Sequence, residues 1–175
     1  RLMLVLLLGL SFIINNPLLL LLDVLVLIVL GASWLWGRFC LAGVTYARRF
    51  ATTRFNFGEE TDLWIEVVNA KPLPLTWLRT EDAFPDELKV KSAELSYAGH
   101  EKKQSLINLY SLRWYERVRR RYRVVGRQRG VFQVGPVSVS SGDLFGFRLR
   151  RSEMDYQHTV VVYPKIVPVK NLNVL

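Results

Sequence analysis

The stretch "SSGDLFGFRLRR", residues 140–151, places one carboxylate, Asp143, between small residues and a basic run. Asp143 stands two residues before Phe145-Gly146, close to the Asp-Phe-Gly with which protein kinases hold magnesium. That chemistry needs the three residues adjacent, a catalytic loop ahead of them and a strand lysine. Here Leu144 intervenes and the other parts do not occur. Asp and Gly between two strand-like runs call instead for a turn whose carboxylate accepts backbone N–H groups. Phe145 and Phe147 are then expected to share a strand face and plug the edge of a β-core.

Other reactive groups are sparse. Asp82, Asp86 and Glu87 gather around Pro85 and read as solvated carboxylates of a proline turn. Cys40 is the single cysteine, so neither an intramolecular disulfide nor a cysteine metal cluster can form. His100 and His158 are the two histidines, too few for an ordinary zinc site, and His158 reads as a packed or exposed strand residue. The chain lacks Gly-x-Ser-x-Gly, a phosphate-binding Gly-rich loop ending in Lys-Ser/Thr, and His-Glu-x-x-His. No catalytic, cofactor or metal residue is therefore assigned, and a non-enzymatic role is expected.

The densest charge lies in "RWYERVRRRYRVVGRQR" (113–129), with eight arginines in 17 residues. If the segment is extended, Tyr115, Arg117, Arg119, Arg121 and Arg123 share one face. Trp114, Glu116, Val118, Arg120, Tyr122 and Val124 share the other, which can lie on a core. A ladder of like charges repels itself, so counter-charges are expected. They can be acids on a neighbouring strand, anionic lipid, or an acidic protein surface. The net charge of +9 would also suit nucleic acid, but no helix-turn-helix, zinc module or aromatic RNA-binding signature accompanies it. Nucleic acid is not expected as a partner.

These residues need a scaffold. Between Leu2 and Trp36 the clearly polar side chains are Ser11, Asn15, Asn16, Asp23 and Ser33. Two apolar runs, 2–14 and 17–36, flank Asn15-Asn16 and predict an antiparallel transmembrane hairpin (1–36), with Pro17 in the first turn of the second helix. The second run is long enough to span a bilayer and the first is short, as if the chain began inside a longer one. Arg1, Arg38, Arg48 and Arg49 flank the ends away from the hairpin tip, which places those ends in the cytoplasm. Trp34 and Trp36 read as interfacial anchors. Asp23, inside the second run, is read as a helix-association or hydrogen-bonding residue, with proton transfer as the functional alternative.

A juxtamembrane linker (37–43) leads to a change of period. In "TDLWIEVVN" (61–69), Leu63, Ile65 and Val67 alternate with Asp62, Trp64, Glu66 and Val68. Similar runs recur at "LPLTWLRTED", "LKVKSAELSY", "EKKQSLINLYSL", "WYERVRRRYRVV", "GVFQVGPVSVSS", "LFGFRLRR" and "HTVVVYP". Short β-branched and aromatic runs punctuated by Gly, Pro, Asp or Asn predict a mainly β domain. The expected form is an immunoglobulin-like β-sandwich of seven to nine strands over 44–169, with 170–175 opening a linker to a later region.

Several segments together resemble the bacterial domain-of-unknown-function 58 family. They are "FGEETDLWIEVVNAKPLPLTWLRTEDAFPDEL", "RGVFQVGPVSVSSGDLFGF" and "VVVYPKIVP". The family pattern of Arg-Gly, Gly-Pro, Asp-Pro-Phe-Gly and Val-Tyr-Pro maps to Arg129-Gly130, Gly135-Pro136, Asp143 with Phe145-Gly146, and Val162-Tyr163-Pro164. Leu144 departs from it, standing where the family usually has proline. The resemblance covers essentially the whole chain, the two apolar runs included. It implies a multi-pass bacterial inner-membrane protein that continues into a region similar to von Willebrand factor type A domains. It also implies work beside a MoxR-type AAA+ ATPase and other membrane proteins. The expected function is a membrane-anchored adaptor or scaffold. An anionic-lipid module using the arginine strand, or a cell-envelope enzyme whose active part lies in the later region, are the alternatives.

Overall fold

A computed structural model describes residues 16–91, 95–97, 103–143 and 146–165. The expected first membrane helix, 2–14, lies outside the described residues. The second apolar run is helical, as α1 (Pro17–Phe39), which runs three residues past the expected end at Trp36. Asn16 caps it, its side chain accepting from the Leu18 N–H at 3.0 Å, and Pro17 occupies the first turn. Among the described residues it is the one helix long and apolar enough to cross a membrane.

Twelve strands follow among the described residues: β1 (Val44–Phe50), β2 (Arg54–Asn56), β3 (Glu60–Asn69), β4 (Leu75–Pro85), β5 (Leu88–Lys91), β6 (Leu95–Tyr97), β7 (Lys103–Leu112), β8 (Arg117–Gly126), β9 (Gly130–Val134), β10 (Val137–Gly142), β11 (Leu149–Met154) and β12 (His158–Tyr163). The chain is mainly β, as its periodicity requires. The strands form a four-stranded sheet, β1-β3-β8-β5, a five-stranded sheet, β11-β10-β4-β7-β6, and a small sheet, β2-β12-β9. Pairing is antiparallel except between β12 and β2.

There are more strands than the expected seven to nine because continuous-looking runs divide between sheets. "LKVKSAELSY" becomes β5 in the first sheet and β6 in the second, and "GVFQVGPVSVSS" becomes β9 in the small sheet and β10 in the second. The second break falls at Gly135-Pro136. Gly135 has φ +113°, and a Cβ there would lie 2.2 Å from the Tyr156 carbonyl oxygen, so only glycine lets the chain cross at that point. Pro136 has no N–H to give to a ladder.

The alternation read in β3 is observed: Leu63, Ile65 and Val67 are fully buried, while Asp62, Trp64 and Glu66 face outward. They meet Leu78 and Phe84 of β4, Leu106 of β7, Val124 of β8 and Val139 of β10 in one core shared by the sheets.

Into that core β1 sends a charge. Arg48 is 1% exposed and pairs with Asp82 of β4, itself 1% exposed. The second guanidinium nitrogen donates to the Val134 carbonyl at 2.8 Å and the Tyr156 carbonyl at 2.9 Å. Tyr46 donates its hydroxyl to the other Asp82 oxygen at 2.7 Å. Burial pushes the Asp82 carboxyl up, against the pull of Arg48 and Tyr46, and pushes the Tyr46 phenol well above its ordinary value. Asp82 is thus no solvated turn residue. It lies within β4, which extends to Pro85, and its register opposite Leu106 and Val137 turns it inward.

Replacing Asp82 with Ala strands Arg48 without a counter-charge, and we expect a loss of about 3–5 kcal/mol. The double change Arg48→Met with Asp82→Leu should cost less than Asp82→Ala alone. Denaturant midpoints of the full chain in detergent, followed by tryptophan fluorescence, measure both.

Candidate anionic-partner face and helix-docking corner

The arginine ladder forms on β8. Arg117, Arg119, Arg121 and Arg123 all point to solvent, with side chains 59–65% exposed, while Val118, Arg120, Tyr122 and Val124 turn inward. Tyr115, Trp114 and Glu116 do not extend these faces as expected. They belong to the turn before β8, where Tyr115 takes φ 52° and Glu116 accepts the Arg113 N–H at 2.6 Å. Trp114 and Tyr115 are 66% and 68% exposed. Inward-facing Arg120 lies over the Tyr110 ring at 4.4 Å and donates to Asn108 at 2.9 Å.

The counter-charges come from β3. Arg119 meets Glu66 directly across the pair at 2.7 Å, and Arg117 reaches the same carboxylate at 3.5 Å. Arg121 leans diagonally to Asp62 at 2.6 Å and Arg123 to Glu60 at 3.8 Å, with Lys91 of β5 also on Glu60. Arginine bonds hold Asp62 and Glu66 below the ordinary carboxylate range, and Lys91 does so for Glu60. These acids therefore stay charged at neutral pH.

Pairing does not neutralise the face. Arg49, Lys89, Lys91 and the four ladder arginines stand against Glu60, Asp62 and Glu66, seven cations to three anions. At its β1 edge a groove of about 530 Å³ combines Arg49, Phe50, Trp64, Glu66 and Arg119. Charged forks beside aromatic planes suit an acidic, partly apolar surface.

The second site is the corner between β10 and β11. Asp143 is 1% exposed, and its Oδ1 accepts the Arg148 N–H at 2.8 Å, the local turn bond expected of it. Its Oδ2 does what the sequence did not announce: it accepts the Ser33 hydroxyl of α1 at 2.5 Å. Ser33 is itself buried. One turn further on, Gly37 lets Arg148 close in, since a Cβ at Gly37 would lie 3.0 Å from the Arg148 Cβ and Cδ. Lys71, in the β3–β4 loop, completes the joint by donating to the Cys40 and Ala42 carbonyls at 2.6 and 2.7 Å, just past the end of α1.

Phe147 is not a plug of the sandwich edge. It is 65% exposed and, with Arg148, lines a groove of about 620 Å³ against Leu27, Leu30 and Trp34 of α1. Gly146 takes φ +76°, which keeps this stretch out of a strand until Leu149. Phe145 lies outside the described residues. Trp36 packs partly against the core, leaving Trp34 as the outward-facing ring of the pair. Asp23 is half-buried on α1, fourteen residues before Gly37 and so near the same helix stripe.

Cys40 is fully buried at the end of α1. His158 opens β12 beside Tyr156 and Phe50, and burial and the Arg48 charge lower its pKa. The Tyr46–Arg48–Asp82 cluster contains acid, base and cation, but its burial leaves no room for a substrate. Among the described residues no three His, Cys, Asp or Glu side chains come together as a metal site.

No family model and no curated protein matches the chain. Comparison with solved structures finds low-scoring similarities. The CARDB domain of a Pyrococcus furiosus protein, solved with two metal ions, is 10% identical, with a TM-score of 0.45 over 70% of this chain and 94% of that one. A PapD-like domain of human CEP192 is 13% identical, with a TM-score of 0.41 over 71% and 87%. A Vibrio harveyi exo-β-N-acetylglucosaminidase is 10% identical, with a TM-score of 0.39 over 71% of this chain and 18% of that one. At these scores no function transfers.

Two outcomes follow from the geometry. Glu66→Gln removes the partner of Arg117 and Arg119, so the full chain in detergent should elute from a heparin column at higher salt, and Arg119→Gln at lower salt. Asp143→Leu leaves Ser33 and the Arg148 N–H without their acceptor and should cost about 1–3 kcal/mol. Faster hydrogen exchange at residues 146–149 and in the last two turns of α1 would register that loss.

Proposed function

We propose that this chain is the anchoring part of a non-enzymatic membrane adaptor: an apolar helix that holds an immunoglobulin-like β-sandwich in a set orientation at the membrane surface. The observation that carries this reading is the buried joint between Ser33 and Asp143, reinforced by Gly37 under Arg148 and by Lys71 on the end of α1. A domain on a loose tether has no use for three such contacts, whereas a platform that presents a face to a partner does.

The resemblance to the domain-of-unknown-function 58 family supports a bacterial inner-membrane setting. It also supports a multi-pass anchor, a cytoplasmic sandwich and a following type A-like region. Within that reading the partner is a MoxR-type AAA+ ATPase, and the basic face of the β1-β3-β8-β5 sheet is the surface offered to it. A lipid role for the ladder has less support. Arg117 lies at the helix-proximal end of β8, and Arg123 is six residues further along, about 20 Å away at 3.3 Å per residue. The ladder climbs away from the membrane rather than lying on it.

Affinity capture of the full-length protein from detergent-solubilised membranes should enrich a MoxR-type ATPase. The triple change Arg119, Arg121 and Arg123→Glu should reduce that enrichment at least tenfold. Capture without any AAA+ ATPase would refute the partner assignment.

A further inference from the structure

The corner that docks α1 lies deeper than a surface loop should. A hydrocarbon core of about 30 Å takes about 20 helical residues, and Pro17–Trp36 supplies that length. With Trp36 at the inner edge, Leu30 lies about 9 Å inside and Leu27 about 14 Å inside, at 1.5 Å per residue. The groove formed by Phe147 and Arg148 is lined by Leu27, Leu30 and Trp34. Phe147 therefore stands at the depth of acyl chains, not of water.

The described residues of the corner suit that depth. Backbone in hydrocarbon must satisfy its own polar groups. The Arg148 N–H is taken by Asp143 Oδ1 at 2.8 Å, the Asp143 N–H by the Arg148 carbonyl at 3.2 Å, and the Gly146 N–H by the Asp143 carbonyl at 3.4 Å. The Asp143 carboxylate is closed off from solvent against Ser33. Phe147 and Leu149, 65% and 73% exposed, present apolar surface. The stem of Arg148 lies along Gly37, so its guanidinium can snorkel outward to anionic headgroups.

A second exposed pair fits the layer above. The Tyr115 N–H donates to the Lys71 carbonyl, and Lys71 reaches Cys40 and Ala42 just past α1, which puts Trp114 and Tyr115 at headgroup level. Indole and phenol rings favour that layer.

We propose that residues 146–149, at the start of β11, are embedded in the leaflet beside α1, with acyl chains of anionic phospholipid filling the groove between Phe147 and the helix. Trp114 and Tyr115 rest in the headgroups. The sandwich is thus held at the membrane by two elements rather than by the helix alone. This inference rests on α1 crossing a bilayer, as the proposed anchor does.

The test uses the full chain in nanodiscs of phosphatidylcholine and phosphatidylglycerol. Cys40→Ala removes the native thiol, and single cysteines at Leu25, Phe147, Leu149 or Val131 carry an environment-sensitive fluorophore. Val131 is 68% exposed, next to Gly130, whose partner Val162 packs on Gly126 at the end of β8 away from α1. Doxyl-labelled lipid should quench the Leu25, Phe147 and Leu149 probes at least threefold more than Val131. If Leu25 is quenched while Phe147 and Leu149 behave like Val131, the embedded corner is overturned and the anchor stands. A blue-shifted but unquenched Phe147 probe means that protein covers the corner, which also overturns it. An unquenched Leu25 probe removes the anchor and the inference together.

Discussion

A guanidinium withdrawn from water is tolerated where its charge is matched and its N–H groups find acceptors, and Arg48 meets that condition by drawing on every sheet. It starts from β1 in the first sheet, pairs with Asp82 in the second and bonds the Val134 carbonyl at the end of β9 in the small sheet. Its bond to the Tyr156 carbonyl also fixes the link between β11 and β12. Gly135 is glycine because Tyr156 must come that close. β1 begins five residues after α1 ends, so the side chain that locates β1 also governs where the helix meets the sandwich.

The two surfaces built on this frame use charge in opposite ways. On the β8 face the arginines and their β3 acids are open to solvent, and screening leaves such pairs little net contribution to stability. Their value lies in the field they make, a surplus of cations held in regular order along a stiff strand. Complementary fields of this kind govern encounter rate and partner choice more than affinity. At the β10–β11 corner the charge is buried. Asp143 accepts from the Ser33 hydroxyl and from the Arg148 N–H, and its contribution is to position. In the adaptor proposed above, a basic face for recognition and a buried carboxylate for orientation would be complementary parts of one platform.

Much of this was legible from spacing alone. The helix start at Asn16-Pro17, the alternation of β3 and the exposed ladder on β8 are local patterns, written in residues that are neighbours along one element. The ladder's need for counter-charges was equally legible, because like charges two residues apart on a strand must be balanced. Their source, Glu60, Asp62 and Glu66, was visible only as the outward face of another strand, since the pairing of β3 with β8 joins positions 49 to 65 residues apart.

What the sequence by itself determined is the class of each piece: an apolar helix, a mainly β domain and a strand with one cationic face. Periodicity and composition act within a few residues and suffice for that. Only the tertiary structure decided that Asp82 is the core's counter-ion rather than a solvated turn residue, and that Asp143 holds α1 as well as its own turn. It also decided that "GVFQVGPVSVSS" serves two sheets. Each of these depends on a partner 34 to 110 positions away or on a crossing chain. The type of a side chain carries no record of which distant group folding will bring within hydrogen-bond reach.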